Sequence, residues 1–224
     1  MKRNNNRFFK CLICLCLITG NKNLFAQHPP FYNEVQSFKK QDSLHFPAKN
    51  QILFIGSSSF TKWKDVQDYF PDYPILNRAF GGSILLDQIR YVNDIVFPYQ
   101  PKQVVIYCGD NDLASSDTVT AQMVLSRFKT LFNLIRNKLK TANITYVSIK
   151  PSPSRIKLLA KDEAANKLIK KYLSTEKNTA FVDVYHSMMG ENNRPIPEIF
   201  IEDSLHMNAK GYKIWQKIIQ PYLK

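Results

Sequence analysis

An α/β fold, with helices on both faces of a five-stranded parallel sheet in a three-layer α/β/α sandwich, is what this sequence predicts. Two observations carry the prediction. Short apolar runs alternate with longer stretches of helical period, the pattern of repeated strand–helix units. Runs such as Val104–Cys108 and Phe181–Val184 are apolar almost throughout, as strands buried on both faces require.

Taken in order, the expected strands are Gln51–Ile55, Ile75–Asn77, Gln103–Cys108, Ile144–Ile149 and Ala180–Val184. The clearest helix carries Val124, Phe128, Leu131, Ile135 and Leu139, spaced so that all five share one face. A second helix is expected from about Lys157 to Leu173. A third covers Asn208–Gln220, with Tyr212, Trp215 and Ile219 on its inner face. A flavodoxin-like strand order, 2-1-3-4-5, would set strands one, two and three side by side at the switch point, where such sheets place their sites.

The 224 residues divide into three expected segments: 1–26, 27–49 and one domain over 50–224. Met1–Lys10 carries four basic residues and no acid, Cys11–Thr19 is an apolar run too short to span a bilayer, and Ala26 offers a small residue for cleavage. That is the layout of a secretory signal peptide, so export to the periplasm or the exterior is expected, with cleavage after Ala26 and no stable membrane anchor. Residues 27–49 read as a polar lead-in. Loss of the first segment would remove Cys11, Cys14 and Cys16, leaving Cys108 as a buried thiol with no disulfide partner. It would also remove five positive charges, from +13 to +8. The remaining lysines are scattered, without zinc-ligand spacing or an aromatic-interleaved basic stripe, so no nucleic-acid partner is expected.

Chemistry concentrates at the strand ends. The first strand runs into Gly56-Ser57-Ser58-Ser59, where a serine can expose its hydroxyl or simply cap the next helix. The second ends near Gly81-Gly82, able to present N–H groups to a ligand or to turn the chain. The third ends at Gly109-Asp110-Asn111-Asp112, which fails as a calcium loop because Ala114 and Ser115 stand where an oxygen ligand and a glycine belong. Ahead of the last helix, Asp203 precedes His206 by three residues and can curl back to hold its ring, leaving the other nitrogen free as a base. Asp183–His186 has the same spacing but directly follows a strand. The later pair is therefore taken as the base.

These blocks together resemble the SGNH hydrolases, the GDSL-like lipase/acylhydrolase family, over nearly all of the expected domain. Gly56–Trp63 (GSSSFTKW) and Lys150–Arg155 (KPSPSR) look like one subgroup of it. The resemblance implies Ser58 as nucleophile and Asp203 and His206 as acid and base. It further implies an oxyanion hole formed by the Ser58 and Gly82 N–H groups with the Asn111 amide. Ser57 departs from the commonest motif, which has Asp there, and leaves the bonding of that turn open. No cofactor or metal is implied. Because a base histidine must be neutral, activity is expected to fall as pH drops through about 6–7. The expected substrate is a short, acetyl ester on a carbohydrate or small molecule, with the loop Ser187–Ile201 and its Met188 and Met189 able to shape the pocket, and with Arg155 either meeting a polar substrate or standing as an ordinary surface arginine. The alternatives are a lipid or lysophospholipid acylhydrolase and a non-catalytic carbohydrate-binding protein on the same fold.

Overall fold

A computed structural model describes residues 28–224. The expected signal peptide and its cleavage point lie outside the described residues.

Five strands, β1 (Ile52–Gly56), β2 (Ile75–Asn77), β3 (Gln103–Tyr107), β4 (Asn143–Val147) and β5 (Thr179–Val182), form one parallel sheet in the order β2-β1-β3-β4-β5. Each matches an expected strand to within two residues. The flavodoxin-like order holds too. In register, Phe54 pairs with Asn77 on one side and with Val105 on the other, so the exits of β2, β1 and β3 lie next to one another.

Side chains alternate across the pleat, and the two faces build separate cores. Leu53, Ile55, Val104 and Ile106 pack against one helical layer, formed by α1 (Tyr32–Leu44), α4 (Leu85–Ile95), α6 (Ala121–Lys138) and α7 (Leu159–Leu173). Ile52, Phe54, Val105 and Tyr107 meet the other layer, built on α2 (Ser58–Thr61), α3 (Val66–Tyr69) and α8 (Ala209–Ile219). A short helix, α5 (Asp110–Ala114), follows β3. Trp63, Tyr107, Tyr212 and Trp215 form a contiguous aromatic cluster on the second face.

One expectation is corrected here, and the lead-in gains detail. The polar lead-in contains α1, which buries Val35 and is tied down by Asp42. That carboxylate pairs with Arg78 at 2.5 Å and accepts from the Tyr99 hydroxyl at 2.5 Å. The inward face of α1 sets Val35 and Phe38 against the core beside the Asp42 ion pair, an apolar stripe too short to stand out within a polar segment. Met188 does not shape a pocket. It is fully buried and accepts the Trp215 indole N–H at 3.1 Å, so α8 claims it for the core.

Candidate active site

Ser58, Gly82 and Asn111 follow exits of the sheet, and the Asp203–His206 pair comes from the loop before α8. At the end of β1, Gly56 takes φ +131° and turns the chain so that the Ser57 N–H donates to the Tyr107 carbonyl at 2.9 Å. Ser58 then opens α2. Its N–H is one of the orphan donors of a helix start and has no intrahelical acceptor. After β2 the chain passes Gly81 and Gly82; Gly82, at φ +81°, lies exposed before α4, and its N–H has no protein acceptor among the described residues.

The loop before α8 delivers the base. Asp203 Oδ1 accepts the N–H groups of Leu205 and His206, at 2.9 and 2.8 Å, which folds the turn through Ser204 at φ +55°. Asp203 Oδ2 lies 2.5 Å from His206 Nδ1, and His206 Nε2 lies 2.9 Å from Ser58 Oγ. Burial pushes the Asp203 carboxyl upward, but the ring and the two backbone donors outweigh it and hold the group well below the usual carboxylate range. It therefore stays ionised wherever a histidine titrates. Its partner Nδ1 must carry the proton, leaving Nε2 as acceptor toward the serine.

The rival pair makes the same local bond: His186 Nδ1 lies 2.8 Å from Asp183 Oδ2. Its ring is 72% exposed and has no serine partner among the described residues. What separates the two pairs is the group opposite Nε2.

Asn111 reaches the same place from α5. Its Nδ2 donates to Ser57 Oγ at 2.7 Å and to the Ser83 carbonyl at 3.1 Å, while its Oδ1 accepts from Arg155 Nη2 at 2.9 Å. Ser57, at the position that departs from the commonest motif, thus serves as the acceptor for this amide. Arg155 is not turned to solvent for a substrate: its guanidinium pairs with Asp110 and holds Asn111. Behind it lie two further buried ionisable groups, Lys150 and Asp162. The segment Lys150–Arg155 stands out in the sequence but its target does not, because pairing between neighbouring strand exits leaves no local trace. The neighbouring Asp112 is also accounted for, accepting Leu85 N–H at 2.9 Å and pairing with Arg127 at 2.7 Å.

Burial, with the nearby Asp110 charge, pushes the Asp162 carboxyl up to about 8. A folded-state value above the unfolded one means that its stabilising contribution is complete below about pH 4 and is lost as pH rises toward 8. Thermal melts between pH 5 and 8 should show wild-type Tm falling relative to Asp162→Asn, which removes this titration. Parallel curves would contradict the assignment. Cys108 is buried beneath the site, and burial drives its thiol well up, which makes it an inert neighbour.

A doubly wound sheet with a serine, histidine and aspartate in hydrogen-bonded line at its carboxyl edge defines a hydrolase of the acyl-transfer class. The chain belongs to the GDSL-like Lipase/Acylhydrolase family, which matches residues 55–214. That membership makes it an ester hydrolase in general class. A candidate acylhydrolase from Bacteroides fragilis is similar at 22% identity and TM-score 0.74, over 85% of this chain and 96% of that one. A GDSL-like lipase from Bacteroides thetaiotaomicron shares 20% identity at TM-score 0.69, over 86% and 97%. A catalytic mutant of Axe2, an acetylxylan esterase from Geobacillus stearothermophilus, shares 15% at TM-score 0.62, over 78% and 94%. At these identities the likeness is one of fold. No curated protein matches the chain.

Proposed function

We propose that this chain is an exported serine esterase that removes acetyl groups from carbohydrate. The observation that carries the chemistry is the line Asp203–His206–Ser58, with its two contacts of 2.5 and 2.9 Å. In the first step His206 Nε2 takes the Ser58 proton as Oγ attacks the ester carbonyl. The N–H groups of Ser58 and Gly82 receive the oxyanion, joined by the Asn111 amide, one of whose N–H groups exchanges its bond to Ser57 Oγ for one to the oxyanion. Collapse breaks the carbon–oxygen bond to the alcohol, which leaves with the proton held by His206. Water, deprotonated by the same nitrogen, then attacks the acyl-serine and releases the acid and free Ser58.

The carbohydrate reading draws on a cleft of about 420 Å³ between α1 and the loops after β1 and β2. Glu34, Ser37, Phe38 and Gln41 recur at helical spacing along its α1 wall, and Thr61, Lys64 and Gly81 face them. Gly81 also places this wall against the nucleophile, since a Cβ built there would stand 3.9 Å from that of Ser58. Exposed amide, hydroxyl and carboxylate groups beside an aromatic ring suit a polyhydroxylated alcohol. The fold shared with an acetylxylan esterase supports the same direction. The export proposal draws on the basic, apolar and small-residue order of residues 1–26.

A second, more apolar cleft of about 950 Å³ lies between Pro153, Ile156, Pro195 and Ile196, and it is the feature that favours the lipid alternative. A chain-length series separates the two. Turnover of nitrophenyl esters should drop steeply beyond acetate, and acetate should be released from acetylated xylo-oligosaccharides. Equal or rising rates on octanoate would assign the enzyme to lipid esters. Replacing Glu34 and Gln41 together by alanine should raise KM for the acetylated oligosaccharide about three- to tenfold, the loss of one or two modest hydrogen bonds.

A further inference from the structure

Asn111 can serve an oxyanion only if its NH2 end, not its carbonyl oxygen, faces the reacting carbon. The two ends of an amide are nearly equal in shape, so something must choose between them. Arg155 has donors only, and its Nη2 lies 2.9 Å from Asn111 Oδ1. The Ser83 carbonyl can only accept, and it takes Nδ2 at 3.1 Å. Ser57 Oγ could satisfy either end and does not discriminate.

Arg155 is itself held in place. Asp110, the residue before Asn111, binds its guanidinium from a position only 9% exposed, so one acid anchors the arginine while the next residue receives it. The approach is shaped by Lys150–Arg155, where Pro151 and Pro153 restrict the backbone and Ser152 lies buried and extended. Arg155 leaves helical geometry at φ −115°, ψ 29°, and its N–H returns to the Ser152 carbonyl at 3.1 Å. Lys150 is fully buried nearby, its Nζ 3.8 Å from Asp110 Oδ2.

Resting on the proposed serine-esterase site, we infer that Arg155 is a positioning residue that fixes the Asn111 amide with its NH2 end toward the oxyanion and, through a charge-assisted bond to Oδ1, strengthens that donor. A flipped amide would set an oxygen against the developing negative charge. The arginine thus acts on the transition state through Asn111 and makes no contact with substrate.

The test is a double-mutant cycle on nitrophenyl acetate with Arg155→Met, Asn111→Ala and the pair, each checked for folding by thermal melt. Asn111→Ala should lower kcat about 10²–10³-fold, the loss of one oxyanion donor. Arg155→Met should lower kcat about 10- to 100-fold, the scale of a small misplacement, with KM little changed. Arg155→Lys should recover part of the rate, because an ammonium keeps the charge but cannot span Asp110 and Asn111 as a planar fork does. In the Asn111→Ala background, Arg155→Met should cost almost nothing further. An undiminished Arg155→Met penalty in that background, or wild-type kcat in Arg155→Met, overturns the inference while leaving the site intact. Wild-type kcat in Asn111→Ala overturns the oxyanion assignment and this inference with it. If Arg155→Met does not fold, the same cycle is run with Arg155→Lys, and an equal penalty with and without Asn111 is the overturning result.

Discussion

Ser58→Ala is expected to lower kcat for ester hydrolysis by roughly 10⁶-fold, the scale reached when a nucleophile is removed from a serine hydrolase. The substitution deletes the attacking oxygen and leaves His206 with nothing to deprotonate. Ser58 Oγ lies 2.9 Å from His206 Nε2, and the side chain is only partly buried at the mouth of the sheet. Stability should therefore change little, and the melt should overlay that of the wild type. A small rate above that of water should survive, because the Gly82 N–H and the Asn111 amide would still polarise a bound carbonyl. Acetate release followed by titration measures the first effect, and loss of fluorophosphonate labelling confirms the position. Equal rates for variant and wild type would sink the assignment. Labelling at a different serine would relocate it.

Gly56→Ala should fail at an earlier stage, in folding. A Cβ built on Gly56 would stand 1.9 Å from the Tyr107 carbonyl oxygen and 2.7 Å from its carbon, both in the backbone of the neighbouring strand. Neither atom can rotate away, and φ +131° is itself strained for any residue with a side chain. Relief would require parting β1 from β3 at the point where Ser57 N–H meets Tyr107, in the middle of a sheet buried on both faces. The cost should exceed about 4 kcal/mol, beyond the usual range for a single substitution. Against a typical total stability of about 5–15 kcal/mol, that removes much of the margin. Denaturant melts should show a collapse of the midpoint or no soluble protein. Gly190→Ala is the control: its nearest new contacts, at 3.5 Å, are ordinary packing, and its midpoint should scarcely move. A Gly56→Ala protein with a wild-type midpoint would show that the β1–Ser57 turn is far more yielding than this geometry allows.

Much of the architecture was legible before any coordinates. The parallel strands could be read because unbroken apolar runs such as Val104–Tyr107 have few other uses in a chain of this size, whereas the strand order entered only as a flavodoxin-like analogy, since alternation is compatible with more than one order. Gly56, Ser58, Gly82, Asn111, Asp203 and His206 stand out at strand exits and turns, but a serine or glycine there can equally cap or turn the chain, and only the resemblance of the blocks taken together implied their roles. Helix α1 did not stand out, because its apolar stripe is short and Asp42, Arg78 and Tyr99 are brought together from segments that share no local pattern.

The two Asp-x-x-His pairs mark the boundary most clearly. Their internal bond is local, made across three residues by turn geometry, and so the sequence determined it in both places alike. Sequence order alone favoured Asp203–His206, but only packing puts a hydroxyl 2.9 Å from one Nε2 and leaves the other ring in solvent. The same holds for Arg155, which reads as one more surface cation until β3 and β4 bring it against Asp110 and Asn111. Spacing along the chain encodes turns and faces. Which donor meets which acceptor across 148 residues is decided by how the two cores pack on the sheet, and that is a property of the tertiary structure.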